Sequence, residues 1–182
     1  MINNWYASLF SNLISIIDYN NKKKISYFFK KRLKNKPLTV IDIGAHKGET
    51  IDFFIKNFNI KKIFAFEPNP QLFKFLKNKK EYNNNKVDLF NFGVGLKKGN
   101  KILNIMADSS SSTINKIDQQ SNYYKRKIKF LSFFFFSRNF LSKKQKISIN
   151  NLSHFLKKKN LRKIDILKID AEGYEYKILK GI

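Results

Sequence analysis

The period of the apolar positions changes at Pro37, and that change divides the chain. Before it, Trp5, Leu9, Leu13, Ile16 and Ile17 recur at helical spacing, and so do Ile25, Phe28, Phe29 and Leu33 among lysines. Two helices are expected over residues 1–36, the second stopped by Pro37, forming an N-terminal extension laid against the main domain. Lysines beside aromatics also suit an anionic interface, so an amphipathic helix weakly associated with a membrane surface is the alternative.

After Pro37 the spacing becomes that of alternating strands and helices. Leu38 to Ile43 is a short, nearly continuous apolar run, as in a strand buried on both faces. Gly44 to Gly48 reads as a loop, and Ile51, Phe54, Ile55 and Phe58 mark one helix face. Ile63 to Phe66 predicts a second strand ending at Glu67. Asn69 is placed to cap the next helix and Pro70 to occupy its first turn. Val87 to Phe92 predicts a third strand. Strand, helix, strand, helix, strand is the order of a parallel α/β sheet with right-handed crossovers.

Beyond Gly93 the pattern loosens. A turn is expected over 95–100, an added strand around Ile102 to Met106, and a loop at the four serines 109–112. Residues 121–146, with the run Phe133 to Phe136, have no clear period and read as an insertion or lid. Lys146 to Ile149 suggests another strand, and Leu152 to Asn160 a short helix. Ile164 to Asp170 is the last strong strand, and a short helix follows it.

Composition changes the picture little. The 182 residues carry 37 Lys plus Arg against 13 Asp plus Glu, a formal net charge of +24. Lys, Asn, Ile and Phe together make 97 of the 182 residues, and AT-rich codons serve all four. Phosphate recognition favours the planar fork of Arg, yet only four Arg are present and the lysines are scattered. The charge therefore reads mainly as genome drift, and no specific nucleic-acid partner is expected. With no cysteine, thiolate chemistry is excluded. Met1 to Tyr19 lacks the positive start of a signal peptide. No stretch reaches the roughly 18 apolar residues of a membrane span. A soluble, cytoplasmic chain is expected.

Three clusters could carry chemistry. Asp42, Gly44, Ala45, His46 and Gly48 form a strand-to-helix loop at the carboxyl end of a buried strand, where ligands of open α/β sheets bind. His46 stands where the dinucleotide fingerprint has its middle glycine, so a ligand without a diphosphate fits better. Glu67 ends the next strand, 19 residues after Gly48, where a carboxylate can accept from both ribose hydroxyls. It could equally be an acid favoured at a helix start. Together the two features imply a nucleoside ligand without a diphosphate, a description that S-adenosylmethionine meets. Lys168, Asp170 and Glu172 gather charge at the tip of the last strand, either as an ion pair closing it or as groups that hold and deprotonate a substrate hydroxyl. No convincing metal-ligand cluster is present. His154, on the short helix, is read as surface or packing.

Val40 to Thr50, Phe66-Glu-Pro-Asn-Pro70 and Leu167-Lys-Ile-Asp-Ala-Glu-Gly-Tyr-Glu175 resemble, in order and spacing, the FkbM family of S-adenosylmethionine-dependent methyltransferases. The resemblance covers residues 38–182, and Ile147 to Leu156 is similar to the segment before the last block. It implies a parallel, doubly wound, Rossmann-like class I methyltransferase sheet over 37–182, and methyl transfer to a hydroxyl of a sugar, glycan, lipid or polyketide. Carried over, Asp42, Gly44, Ala45 and Gly48 would hold the methionine portion of the cofactor, and His46, within the same loop, could touch the ligand. Glu67, with Pro68 beside it, would bind the ribose, and Gly93 and Val94 would lie near the adenine. Asp170 would act as base with Lys168 and Glu172 orienting it. The family's sheet continues beyond the last block, so the sheet is expected to be incomplete on its C-terminal side. The last strand would then be an edge open to self-association. A catalytically inactive remnant of such an enzyme is the alternative, and a nucleic-acid binder a weaker one.

Overall fold

The computed structural model describes residues 21–33, 35–82, 85–106, 112–115, 117–122, 124–126, 129 and 141–182. The helix expected over residues 3–17, serines 109–111 and the run Phe133 to Phe136 lie outside the described residues. The chain divides into two compact units, Met1–Lys36 with Asp118–Arg138, and Pro37–Ile117 with Asn139–Ile182. In the first, residues 21–33 form the helix that the spacing predicts, and Arg32 lies over the ring of Phe28. Among the described residues no helix is long and apolar enough to cross a membrane.

The second unit is built on a parallel sheet. β1 (Leu38–Ile43) is buried at every position, as its apolar run predicts. β2 (Ile60–Phe66) flanks it on one side and β7 (Ile166–Ile169) on the other, while β3 (Val87–Phe90) pairs with β2. The order is β3-β2-β1-β7, all parallel, with α1 (Glu49–Asn57) after β1 and α2 (Pro70–Lys77) after β2. This is a Rossmann-like arrangement. Asn69 caps α2 by accepting from the Gln71 amide at 3.0 Å, and Pro70 opens its first turn, as the sequence predicts. Above the sheet Phe66, Phe90, Phe92 and Phe155 pack ring against ring, joined by Leu152, Tyr174 and Ile178. Phe155 comes from α3 (Leu152–Lys158), and Ile178 from α4 (Glu175–Leu179).

One feature departs from the expected pattern. β6 (Leu141–Asn150) begins well before Lys146, inside the stretch read as an insertion. It pairs antiparallel with β5 (Gly99–Met106) and parallel with β4 (Gly93–Val94), making a second sheet ordered β4-β6-β5. Ile147, Ile149, Leu103 and Ile105 form its own apolar cluster, while Lys143, Lys144 and Lys146 stay exposed. β7 is the edge strand expected of a sheet incomplete on its C-terminal side. It has β1 as its one strand neighbour among the described residues, and Leu167 is 37% exposed.

Candidate active site

A cavity of about 310 Å³ opens at the carboxyl ends of β1, β2 and β7. Pockets of this size, apolar with a few convergent polar groups, suit small ligands. Its floor starts where β1 ends and the chain turns through Gly44 at φ +79. A Cβ at Gly44 would run into the backbone carbonyl of Asp170, so glycine lets the tips of β1 and β7 meet. The ammonium of Lys168 closes the same turn by donating to the Gly44 carbonyl at 2.7 Å.

Glu67 closes the next side. Its carboxylate accepts from the His46 amide at 2.8 Å and from the Asn69 amide at 2.8 Å. One side chain thus joins the glycine loop to the start of α2. Burial pushes the carboxyl up to about 7, although both amides favour its charged form. A carboxylate has about four lone-pair positions, so each oxygen retains one beyond its backbone partner.

Beneath the loop lies Asp42, fully buried, with the Lys168 ammonium 3.1 Å from one oxygen. No other group among the described residues hydrogen-bonds either oxygen, so Lys168 alone offsets the burial of this charge. Burial raises the Asp42 carboxyl to about 6 against the pull of Lys168. Asp42 does not line the cavity, and neither does Gly48. Asp42 faces Lys168 across the β1–β7 register, while Gly48 turns its α-carbon toward the hydroxyl of Tyr82. Gly44, Ala45, His46, Glu67, Pro68, Gly93, Val94, Lys168, Asp170 and Glu172 all line it, so ten of the twelve residues singled out from the sequence converge. His154 is exposed on α3, away from this cavity.

Asp170 has a well-exposed carboxylate, with the Lys168 ammonium 3.8 Å away. Glu172 follows in a left-handed turn at φ +47, and its carbonyl accepts from the Thr113 hydroxyl at 2.8 Å. Glu175 fastens that turn by accepting from the amides of Ala171 and Gly173 at 2.9 and 3.1 Å. Burial alone would raise the Glu175 carboxyl, but these amides and its own outweigh it, and the net shift is downward. Sequence reasoning missed the strap that carries Ser112 and Ile114 to the cavity, and the walls supplied by Leu72 and Tyr174. The strap is placed by its bridge to Asn104, by the Thr113 hydroxyl on the Glu172 carbonyl and by the Asn104 side-chain amide on the Asn115 carbonyl, long-range pairings with no local signature. Among the described residues no group of acids and histidines could hold a metal ion.

The sequence model of the Methyltransferase FkbM domain matches residues 42–181. Among curated proteins none matches significantly. The crystal structure of methyltransferase FkbM from Methylobacillus flagellatus KT is similar with a TM-score of 0.47 and 15% identity, over 80% of this chain and 28% of that one. This chain therefore spans less than a third of that protein's length.

Proposed function

Because the chain belongs to the FkbM methyltransferase family, we propose that it moves a methyl group from S-adenosylmethionine to a hydroxyl oxygen of a sugar, glycan or other small acceptor in the cytoplasm. The observation that carries this reading is the single cavity into which the glycine loop, Glu67 and the Lys168–Glu172 block all face. Its donors and acceptors fit the cofactor. The remaining lone pairs of Glu67 suit the two ribose hydroxyls. Leu72, Phe92 and Val94 offer an apolar wall for a purine, and the backbone at Gly44 and Ala45 leaves room for the amino-acid portion.

When bound, S-adenosylmethionine supplies a methyl group activated on a positively charged sulfur. The chain's own residues then have to orient the acceptor and remove a proton. Asp170 is the proposed base, because its carboxylate is accessible and faces the cavity. Lys168, anchored to the Gly44 carbonyl, steers Asp170 from 3.8 Å. Glu172, two residues on in the left-handed turn, helps to orient it. Holding the acceptor oxygen in line supplies much of the rate in such a transfer.

Charge supports an uncharged acceptor. Of 13 acids in a chain of net charge +24, Glu49, Glu67, Asp170 and Glu172 line this one cavity. Lys168 is the one Lys or Arg lining it among the described residues, and it is turned toward Gly44 and Asp42. A hydroxyl on a neutral polyol meets no repulsion there, whereas a phosphate or carboxylate would.

Calorimetric titration with S-adenosylhomocysteine is the test. Micromolar binding, about −8 kcal/mol, is expected, and Glu67→Ala should weaken it by about tenfold or more. Asp170→Asn should bind normally and lose turnover once an acceptor is found. Unchanged affinity in Glu67→Ala would remove the ribose assignment.

A further inference from the structure

Behind the glycine loop, on the side away from the cavity, a buried hydroxyl presses against it. Tyr82 ends the short 3₁₀ turn Lys80–Tyr82 and is 5% exposed. Its phenolic oxygen lies 3.1 Å from the Gly48 carbonyl and 2.5 Å from Oδ1 of Asp52, and its one proton serves these two acceptors. Lys79 donates to the same phenol at 3.2 Å and to Oδ2 of Asp52 at 2.7 Å. Burial first, then the bond to Asp52, pushes the phenol far above its ordinary range, so it remains a donor at every working pH.

Gly48 answers to this contact. It has φ +89, and a Cβ there would collide with the Tyr82 hydroxyl and meet Leu76 at 3.0 Å. The Gly48 amide donates back to the Ala45 carbonyl at 2.8 Å, and its carbonyl receives the Asp52 amide at 2.9 Å. Tyr82 therefore holds the rear of the loop and the start of α1 together. Lys168 holds the front at Gly44. Ala45 and His46, between these two anchors, face the cavity, and the His46 amide reaches Glu67.

We infer that Tyr82 is a positioning residue of the cofactor site: with Asp52 and Lys79 it pre-sets the glycine loop that the ligand meets, without touching the ligand. The inference rests on the proposed cofactor reading for its effect on binding, but its effect on the loop stands apart from it. A pre-set loop costs less to order when ligand binds, so a loosened one should lose affinity.

The test is Tyr82→Phe in the 182-residue chain, which keeps the ring and removes only the hydroxyl. Two readouts are taken, affinity for S-adenosylhomocysteine and residue-resolved amide hydrogen exchange. Affinity should fall about tenfold. Exchange should quicken at the His46 and Gly48 amides while β2 amides such as Ile63 keep wild-type rates. Asp52→Asn, which retains an acceptor oxygen for the phenol, should stay close to wild type, and Asp52→Ala should resemble Tyr82→Phe. Unchanged exchange at His46 and Gly48, or acceleration spread evenly over all amides, overturns the positioning role. Wild-type protein that fails to bind S-adenosylhomocysteine would sink the cofactor reading instead, and the exchange data would still judge Tyr82.

Discussion

On the proposed reading, Glu67 serves both the fold and a ligand. Its two backbone partners, His46 and Asn69, fix where the loop and α2 meet, and the residue also lines the cavity. Burial lifts its carboxyl to about 7, so protonation competes with ligand near neutrality. Ribose hydroxyls donate, and they therefore favour the ionised form. Affinity for adenosine should stay level above the raised value and fall as pH drops through about 7, approaching tenfold per unit. Glu67→Gln should flatten that profile, and calorimetry across the range checks both. A wild-type profile that stays flat through pH 7 would detach Glu67 from the ligand. For folding the sign is opposite to that of a salt-bridged acid. A carboxyl raised from 4.5 to about 7 binds its proton more tightly in the folded state. Its burial therefore costs stability above about 7, and the cost is relieved as pH falls toward 4.5.

At the scale of elements, the joint between β1 and β7 depends on a buried charge pair. Lys168 stands opposite Asp42 in the register and also closes the turn at Gly44. Lys168→Met keeps the volume but leaves Asp42 enclosed with no cation. A loss of about 3–5 kcal/mol is expected at mildly alkaline pH. The loss should shrink in acid, because Asp42, already raised to about 6, climbs further without Lys168 and becomes neutral. Urea unfolding on either side of pH 6 measures this, and an equal loss at both would mean that packing, not charge, joins the strands. Lys168 was legible as a partner of Asp170, since the two share a face of one strand, but not as the partner of Asp42. Asp42 was read as a cavity carboxylate because a strand tip does not reveal which side its last acid faces, and the cross-strand register with Lys168 decides it. Elements with local signals were legible in the same way: β1 by its unbroken apolar run, α2 by Asn69 and Pro70. β6 was not. Lys143, Lys144 and Lys146, three lysines in four residues on both faces, give its first half the look of a loop, and pairing with β5, some forty residues away, makes it a strand.

For the whole molecule the dominant fact is charge. With 37 Lys and Arg against 13 acids, few cations find an anionic partner. Four acids are drawn into one cavity, which leaves the remaining surface still more positive. Self-repulsion of this kind opposes the compact state and is screened over about 10 Å at 0.1 M salt. The buried pair of Asp42 and Lys168 is largely shielded from such screening, whereas exposed lysines are not. Raising sodium chloride from about 0.05 to about 0.5 M should therefore stabilise the chain. One kcal/mol moves the melting temperature of a protein this size by about 2–4 °C, so relief of repulsion of that order should raise it by about 2–4 °C. Thermal unfolding followed by circular dichroism measures it. The same salt should abolish any binding to RNA, since a contact made by scattered lysines is purely phosphate-driven and loses affinity steeply with salt. Binding of S-adenosylhomocysteine, which depends on an enclosed cavity and one carboxylate, should hardly move. A melting temperature that falls with salt would mean that surface ion pairs such as Lys79–Asp52 and Lys62–Asp88 outweigh the repulsion. RNA binding that survives the added salt would mean that the lysines form a specific surface after all.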